Sequence, residues 1–485
     1  VGDFTDTTGL VTVVPGPVSA SVSTVGVDSS SVVVSSGATP ITVTVTVKDA
    51  AGNVIPGATA SIGVSGTNNT TSPSSATTDV NGVAVFTVSS TKAEAKTVTA
   101  TVNEVGITSS TPGVTFTHGV ASQLSIATQP STTATAGVSF IEQPVLNVLD
   151  SFGNLVTSDN STVITAVRNS ATGSQTLFGT LTATASGGVA TFSNLSYQEA
   201  LTIKVDFTSG SLTLATSNNV AVAPNVPAVV TYNQQPASTG TVDATLTAQP
   251  IVKVVDAYGN NVADGTNVTI SLASGTGALR GTLTKTTTSG VATFTDVGYN
   301  KVDAFTITAT SETIPATSGA VGPLSAGIIN SFTLSAVTPQ VAGTPFAVSV
   351  SSAVDQYSNP ASGIVTVSAS TGGGNSPSGV TPSYEAINVT TGSGGANATL
   401  VKTINTVLRG TVGSITSDTS TIVVSAGTQT KIILTSDKDD IDANGTETAT
   451  LTAQLQDILG NNNLTSGVSI VFTSPRGTIV TSPVL

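Results

Sequence analysis

The stretch Ile41-Thr-Val-Thr-Val-Thr-Val-Lys-Asp49-Ala-Ala-Gly52-Asn53 decides the fold. Period-two alternation puts Val43, Val45 and Val47 on one face of a strand and Thr42, Thr44 and Thr46 on the other. The strand then ends in Asp-x-x-Gly-Asn. Asp at the first position suits a type I turn because its carboxylate caps nearby amides, and Gly, like the following Asn, tolerates a left-handed backbone. The same unit returns as Asp150-Ser-Phe-Gly153-Asn154, Asp256-Ala-Tyr-Gly259-Asn260, Asp355-Gln-Tyr-Ser358-Asn359 and Asp457-Ile-Leu-Gly460-Asn461, at intervals of 101, 106, 99 and 102 residues. A period near 100 residues is too long for a solenoid and fits one small β-sandwich per copy. These turns read as structural: they end strands and bind nothing.

A second marker follows each of the first four turns: Asn81-Gly82-Val83-Ala84-Val85-Phe86, Gly187-Gly188-Val189-Ala190-Thr191-Phe192, Ser289-Gly290-Val291-Ala292-Thr293-Phe294, and more weakly Gly394-Gly395-Ala396-Asn397-Ala398-Thr399-Leu400. It predicts a glycine turn leading into an alternating strand whose last aromatic is core. Tyr197 and Tyr299 follow the second and third copies, each ahead of a further strand (Thr202 to Phe207, Phe305 to Thr310), and are placed for corner-type hydrogen bonds. No amphipathic helix is evident. Short Pro/Gly linkers set the boundaries: residues 1–17 as the last strand of an upstream domain, then domains at 18–119, 120–225, 226–326 and 327–427, and the first half of a fifth at 428–485. The strand Leu10 to Val14 matches Val220 to Ala223 in shape, and the fifth turn calls for its partner strand near residue 490, so the chain reads as a segment of something longer.

Composition narrows the class. Cys, Met and Trp are absent, which removes disulfides and thiol chemistry. Only 8% of residues are charged, whereas Ser and Thr make up about 31%, so Thr takes the place of charge on outward strand faces. The net charge of −13, with 14 scattered Lys and Arg, offers no basic stripe for nucleic acid. Thr, Ser and Gly interrupt every Val run before it reaches the length of a membrane span.

These residues resemble a known family. Ile441-Asp-Ala-Asn-Gly-Thr446, Thr450 to Asn461 and Val468-Ser-Ile-Val-Phe472 look like the bacterial Ig-like repeats of invasin- and intimin-type stalks, and Val43 to Ile55 with Thr78 to Phe86 are similar. Domains two and three look like the repeats of very large surface adhesins and S-layer proteins. Domain four departs, with Ser358 in place of Gly and an alternation that slips between Phe346, Val348, Val350 and Val354, which predicts a bulge or a remodelled edge. The fold expectation is therefore all-β: tandem immunoglobulin-like β-sandwich domains arranged as an elongated rod of about 180 Å.

Catalytic patterns fail one by one. His118, the single histidine, sits in a linker with no nucleophile elbow nearby. Gly275-Thr-Gly277-Ala-Leu-Arg-Gly281 lacks the spacing and βαβ setting of a dinucleotide loop and reads as a hairpin loop. Asp437, Asp439, Asp440 and Asp442 place carboxylates at near-alternate positions and form the one candidate calcium site, without the closing Glu of an EF-hand. Nine Asn-x-Ser/Thr sequons admit glycans but match what such a composition yields by chance.

The expectation for function is a non-enzymatic, extracellular structural protein of a prokaryotic cell surface, part of an S-layer or fibre. An adhesin stalk and the spacer modules of a secreted polysaccharide-degrading enzyme are the alternatives. The scarcity of guarding charges on strand edges adds self-association, or contact with other surface proteins, as the expected partnership.

Overall fold

The computed structural model describes residues 12–464 and 466–480, and among them every regular element is a β-strand. No helix among the described residues is long and apolar enough to cross a membrane. The chain divides into two compact units: residues up to Val226 together with Asp256–Asn260, and Pro227–Val255 together with Asn261 onward.

The first unit opens with a sandwich of ten strands: β1 (Thr24–Val27), β2 (Ser31–Val33), β3 (Ile41–Thr46), β4 (Thr59–Val64), β5 (Asn69–Ser72), β6 (Ala76–Thr77), β7 (Val83–Ser90), β8 (Ala95–Val102), β9 (Val105–Gly106) and β10 (Gly113–Thr117). One sheet has the order β1-β3-β7-β5; the other runs β2-β10-β8-β4-β6, with β9 on β8. The Val/Thr alternation does what it predicts. Val43, Val45 and Val47 are fully buried while Thr42, Thr44 and Thr46 remain partly exposed. Register places Val43 opposite Phe86 and Val45 opposite Ala84. Each such valine contributes on the order of 1.5–3 kcal/mol relative to exposure. The unit's second sandwich closes its own core around Leu146, Ile164, Phe192, Tyr197 and Phe207.

In the second unit, one core gathers Val252, Ile270, Phe294, Tyr299 and Phe305, and another gathers Phe332, Val348, Val365, Leu400 and Leu408. All four cores rest on one plan. The strand that ends at the turn aspartate pairs antiparallel with the Gly-Val-Ala strand: Val45 with Ala84, Leu146 with Ala190, Val252 with Ala292, Val348 with Ala396. A parallel pairing of an early strand with the last one also recurs, at Val32 with Phe116, Ala134 with Val222, Thr241 with Ser325 and Gln340 with Val424. Phe86, Phe192, Phe294 and Leu400, which end the second marker, are all buried.

Beyond the fourth core lies a hairpin of Gln429–Ser436 and Leu451–Asp457. Among the described residues no strand occupies its other edge, where the Gly-Val-Ala strand sits in the four sandwiches. Ile432 and Leu434 are accordingly half exposed.

Two local expectations need correction. Thr202 to Phe207 is not one strand. Thr202–Ile203 pairs with Val220–Ala223, Val205–Thr208 pairs with Val163–Arg168, and the chain changes sheet at Lys204. Gly275 to Gly281 is not a hairpin loop, because Leu279–Arg280 pairs with Gly298–Tyr299 and not with the preceding strand Asn267–Ser274. Leu10 and Val11 lie outside the described residues, and Thr12 to Val14 form no strand, with Val13 87% and Val14 74% exposed. The bulge expected in the fourth sandwich is present. Ser331 pairs with Val354 and Thr333 with Ser351, leaving an extra residue on the longer strand, where Ser352 adopts a φ of 51°.

Candidate functional site, an aspartate and asparagine joint

The five turns share one geometry. Each aspartate carbonyl accepts from the amide three residues on (Gly52 N to Asp49 O 3.1 Å; Gly259 N to Asp256 O 3.2 Å), and the residue at that fourth position is left-handed, with φ of 87° at Gly52, 87° at Gly153, 85° at Gly259, 64° at Ser358 and 82° at Gly460. Oδ1 of Asp150 then accepts from the amides of Phe152 and Asn154, both at 2.9 Å. Oδ2 does something that strand-ending chemistry does not require. It accepts from an amide about 30 residues earlier, in the linker that enters the sandwich: Gly16 to Asp49 2.9 Å, Gly119 to Asp150 2.8 Å, Asn225 to Asp256 2.9 Å, Gly327 to Asp355 2.9 Å and Gly427 to Asp457 3.0 Å. All five aspartates are at least 97% buried, and the linker amide lies against each of them.

The asparagine completes the joint. None of the five adopts a positive φ, so a tolerance for left-handed backbone is not what places Asn there. Its carboxamide is the functional part. Asn154 Nδ2 donates to the Thr91 carbonyl (2.9 Å) while its Oδ1 accepts from the Ala93 amide (2.9 Å). Asn260 does the same with Gln198 and Ala200 (2.8 and 2.8 Å), Asn359 with Asn300 and Val302 (3.1 and 3.3 Å), and Asn461 with Val401 and Thr403 (3.0 and 3.1 Å). In each case a side-chain amide pairs with a backbone carbonyl and with the amide two residues on, as a neighbouring peptide group would. The loop it grips follows the Gly-Val-Ala strand of the preceding sandwich. The turn of Asp256–Asn260 belongs by its contacts to the first unit.

Two features brace the gripped loops. Tyr197 Oη donates to Glu199 Oε2 (2.8 Å) and accepts from the Gln175 amide (3.2 Å); Tyr299 Oη accepts from the Gly277 amide (2.8 Å), and its ring stacks on Phe305 at 3.9 Å. These tyrosines immediately precede Gln198 and Asn300, whose carbonyls the asparagines take. Near the fourth turn, the Arg280 guanidinium lies 4.9 Å from the Tyr357 ring centroid and Lys301 Nζ donates to the Tyr357 carbonyl at 3.3 Å.

The electrostatics follow from the bonds. Hydrogen bonds from the Asn53 carboxamide and the Gly16 amide hold the Asp49 carboxyl down to about 2. At Asp150, Asp256, Asp355 and Asp457, burial acts to raise the pKa, but the linker amide, the turn amides and the carboxamide together outweigh it and leave the carboxyl below its ordinary value. A depressed pKa stabilises the fold above the unfolded value and loses that stabilisation as pH falls through the folded one. The joints are therefore expected to hold at pH 5 and to weaken as pH falls below the ordinary 3.8, read as accelerated side-chain amide exchange at Asn154. Weakening already at pH 6 would contradict this.

Ser358 supplies an internal comparison. At φ 64° it carries the strain that glycine avoids at the other four turns. Ser358→Gly is expected to add about 0.5–1 kcal/mol in urea unfolding, because relief of left-handed strain exceeds the entropy that glycine restores to the unfolded chain. At Gly259 a Cβ meets nothing within 4 Å, so Gly259→Val loses about 1–3 kcal/mol through backbone strain alone.

His118 Nδ1 lies 2.8 Å from the Gly119 carbonyl and Nε2 accepts from the Ser158 amide at 3.4 Å, so both ring nitrogens meet backbone groups. In the hairpin loop, Asp437 Oδ1 accepts from the Thr450 amide (2.6 Å), while the Asp442 amide donates to Glu447 Oε2 (2.8 Å). Among the described residues no three His, Asp or Glu side chains gather into a metal-holding group, so Asp437, Asp439, Asp440 and Asp442 are not brought together as ligands.

Residues 22–117 match the family model of the bacterial Ig-like domain, group 1. No curated protein sequence matches the chain. Among solved structures, the Escherichia coli adhesin FdeC is 18% identical, with 63% of this chain and 99% of that one covered and a TM-score of 0.38. Invasin, described as a bacterial integrin-binding protein, is 16% identical over 86% of this chain and 82% of its own, with a TM-score of 0.33. The S-layer protein SbsC is 15% identical over 91% of this chain and 59% of its own, with a TM-score of 0.23. The first sandwich thus matches the bacterial Ig-like domain of group 1, and the chain is similar to tandem repeats of that kind.

Proposed function

We propose that the chain is a non-catalytic structural segment of an extracellular cell-surface assembly, in which successive Ig-like sandwiches hold a fixed spacing. The joint carries this reading. At three boundaries inside the two units the same two side chains tie the linker and the preceding loop to the next sandwich, through bonds that serve spacing. The match of residues 22–117 to the bacterial Ig-like domain supports the prokaryotic surface. An S-layer or fibre component, assembling with copies of itself or with other surface proteins, is the form favoured here.

Antibody raised against the chain should label intact cells as strongly as permeabilised ones, and small-angle scattering should return an extended particle. Labelling only after permeabilisation, or a compact globule, would overturn the proposal.

A further inference from the structure

The first turn is built like the other four, but among the described residues nothing takes one half of it. Asp49 accepts from Ala51 and Asn53 at 2.9 Å and from the Gly16 amide at 2.9 Å, so the linker grip is in place. The Asn53 carboxamide donates one hydrogen bond, to Asp49 Oδ2 at 2.9 Å, and is exposed. At the other four joints the equivalent carboxamide also takes a carbonyl and an amide from a preceding loop, and Asn154, Asn359 and Asn461 are at least 95% buried. A second observation lies beside it. The linker donors Gly119, Asn225 and Gly427 each follow a closing strand (Gly113–Thr117, Val220–Ala223, Val424–Ser425) by one or two residues. Gly16 likewise follows the run Thr12 to Val14, whose Val13 and Val14 are exposed with nothing packed over them.

The geometry points to Asn53 as the socket of a further joint, which receives the loop of another Ig-like sandwich. That sandwich precedes Gly16 in the same polypeptide, takes Thr12 to Val14 as its closing strand, and presents a backbone carbonyl with an amide two residues on. The socket selects no side chain, since both partner groups are peptide atoms. Covalent connection is favoured over a second copy because the Gly16 amide already occupies Asp49 Oδ2 as the linker amides do at the other joints. The inference rests on geometry and is independent of the cellular location proposed above.

The test follows the Asn53 side-chain NH2 by NMR hydrogen exchange in three proteins: the 485-residue chain, the same chain with the residues its gene encodes ahead of Val1, and a chain in which a copy of residues 18–119 is grafted ahead so that its Gly119 replaces Gly16. In the first, Asn53 should exchange freely while Asn154 is protected. In both extended proteins Asn53 should be protected by about tenfold or more, approaching Asn154. Asn53→Ala should then speed proteolysis of the linker at Gly16 in the extended proteins and leave that of the 485-residue chain unchanged, with Asn154→Ala as the positive control at the next linker. Free exchange of Asn53 in both extended proteins would overturn the inference. Protection in the graft alone would overturn the identity of the occupant, and concentration-dependent protection in the 485-residue chain, abolished by Asn53→Ala, would assign the socket to a second copy instead.

Discussion

Asp150→Ala is expected to lower the unfolding free energy of the sandwiches it joins by about 3–5 kcal/mol, because it leaves three amides and a carboxamide without their acceptor at once. The donors are Gly119, Phe152 and Asn154, the last through both its backbone and its side chain, and the carboxylate that gathers them is fully buried. The contributions are not additive, since the four bonds share one anion and relax together. Asp150→Asn keeps one carbonyl acceptor and should lose roughly half as much. Urea unfolding, resolved by amide exchange in the first two sandwiches, measures both. A loss below about 1 kcal/mol for Asp150→Ala would show that water replaces the carboxylate, and with it the idea that the joint is a buried anion site.

Tyr299→Ala should cost a similar amount, about 3–5 kcal/mol, by emptying a fully buried aromatic site against Phe305. Tyr299→Phe keeps the ring and removes the acceptor for the Gly277 amide together with the hydroxyl's interaction with Asp303, with an expected cost of about 1–2 kcal/mol. The two variants separate core from joint. Because Tyr299 precedes Asn300, whose carbonyl Asn359 takes, Tyr299→Phe should also speed side-chain exchange at Asn359 while leaving Asn461 unchanged. Equal effects at both asparagines would mean that the tyrosine acts on the fold as a whole and not on its own loop.

Much of the architecture was legible in the sequence because it rests on short-range rules. Alternating Val and Thr can satisfy only a strand with one buried face, and Asp-x-x-Gly at the end of such a run needs a turn. Phe86, Phe192 and Phe294 were readable as core for the same reason. The joint was not legible as a joint. Asp49 and its four counterparts were identified as turn formers, which they are, but the second carboxylate oxygen binds a linker amide about 30 residues away, and nothing local in the sequence encodes that contact. The role of Asn at the fifth position was misassigned to backbone conformation. One signal was available: the fourth position varies between Gly and Ser, whereas the fifth is Asn in all five copies, a constancy that a merely permissive residue would not need. The sheet change at Lys204 escaped for a different reason, since Thr202 to Phe207 has continuous strand propensity and only the tertiary pairing breaks it.

The residues whose carbonyls the asparagines take are Thr91, Gln198, Asn300 and Val401, a hydroxyl, two carboxamides and an aliphatic side chain that share no single chemistry. The joint reads peptide groups and is blind to sequence on one of its two sides. A gene encoding such a chain can gain or lose a whole repeat by unequal recombination and still place a competent loop before every Asn, with no compensating mutation at the new boundary. Between such boundaries, sandwiches are free to diverge in their exposed faces. Repeat number, and with it the reach of the protein, becomes a trait that selection can alter in single steps.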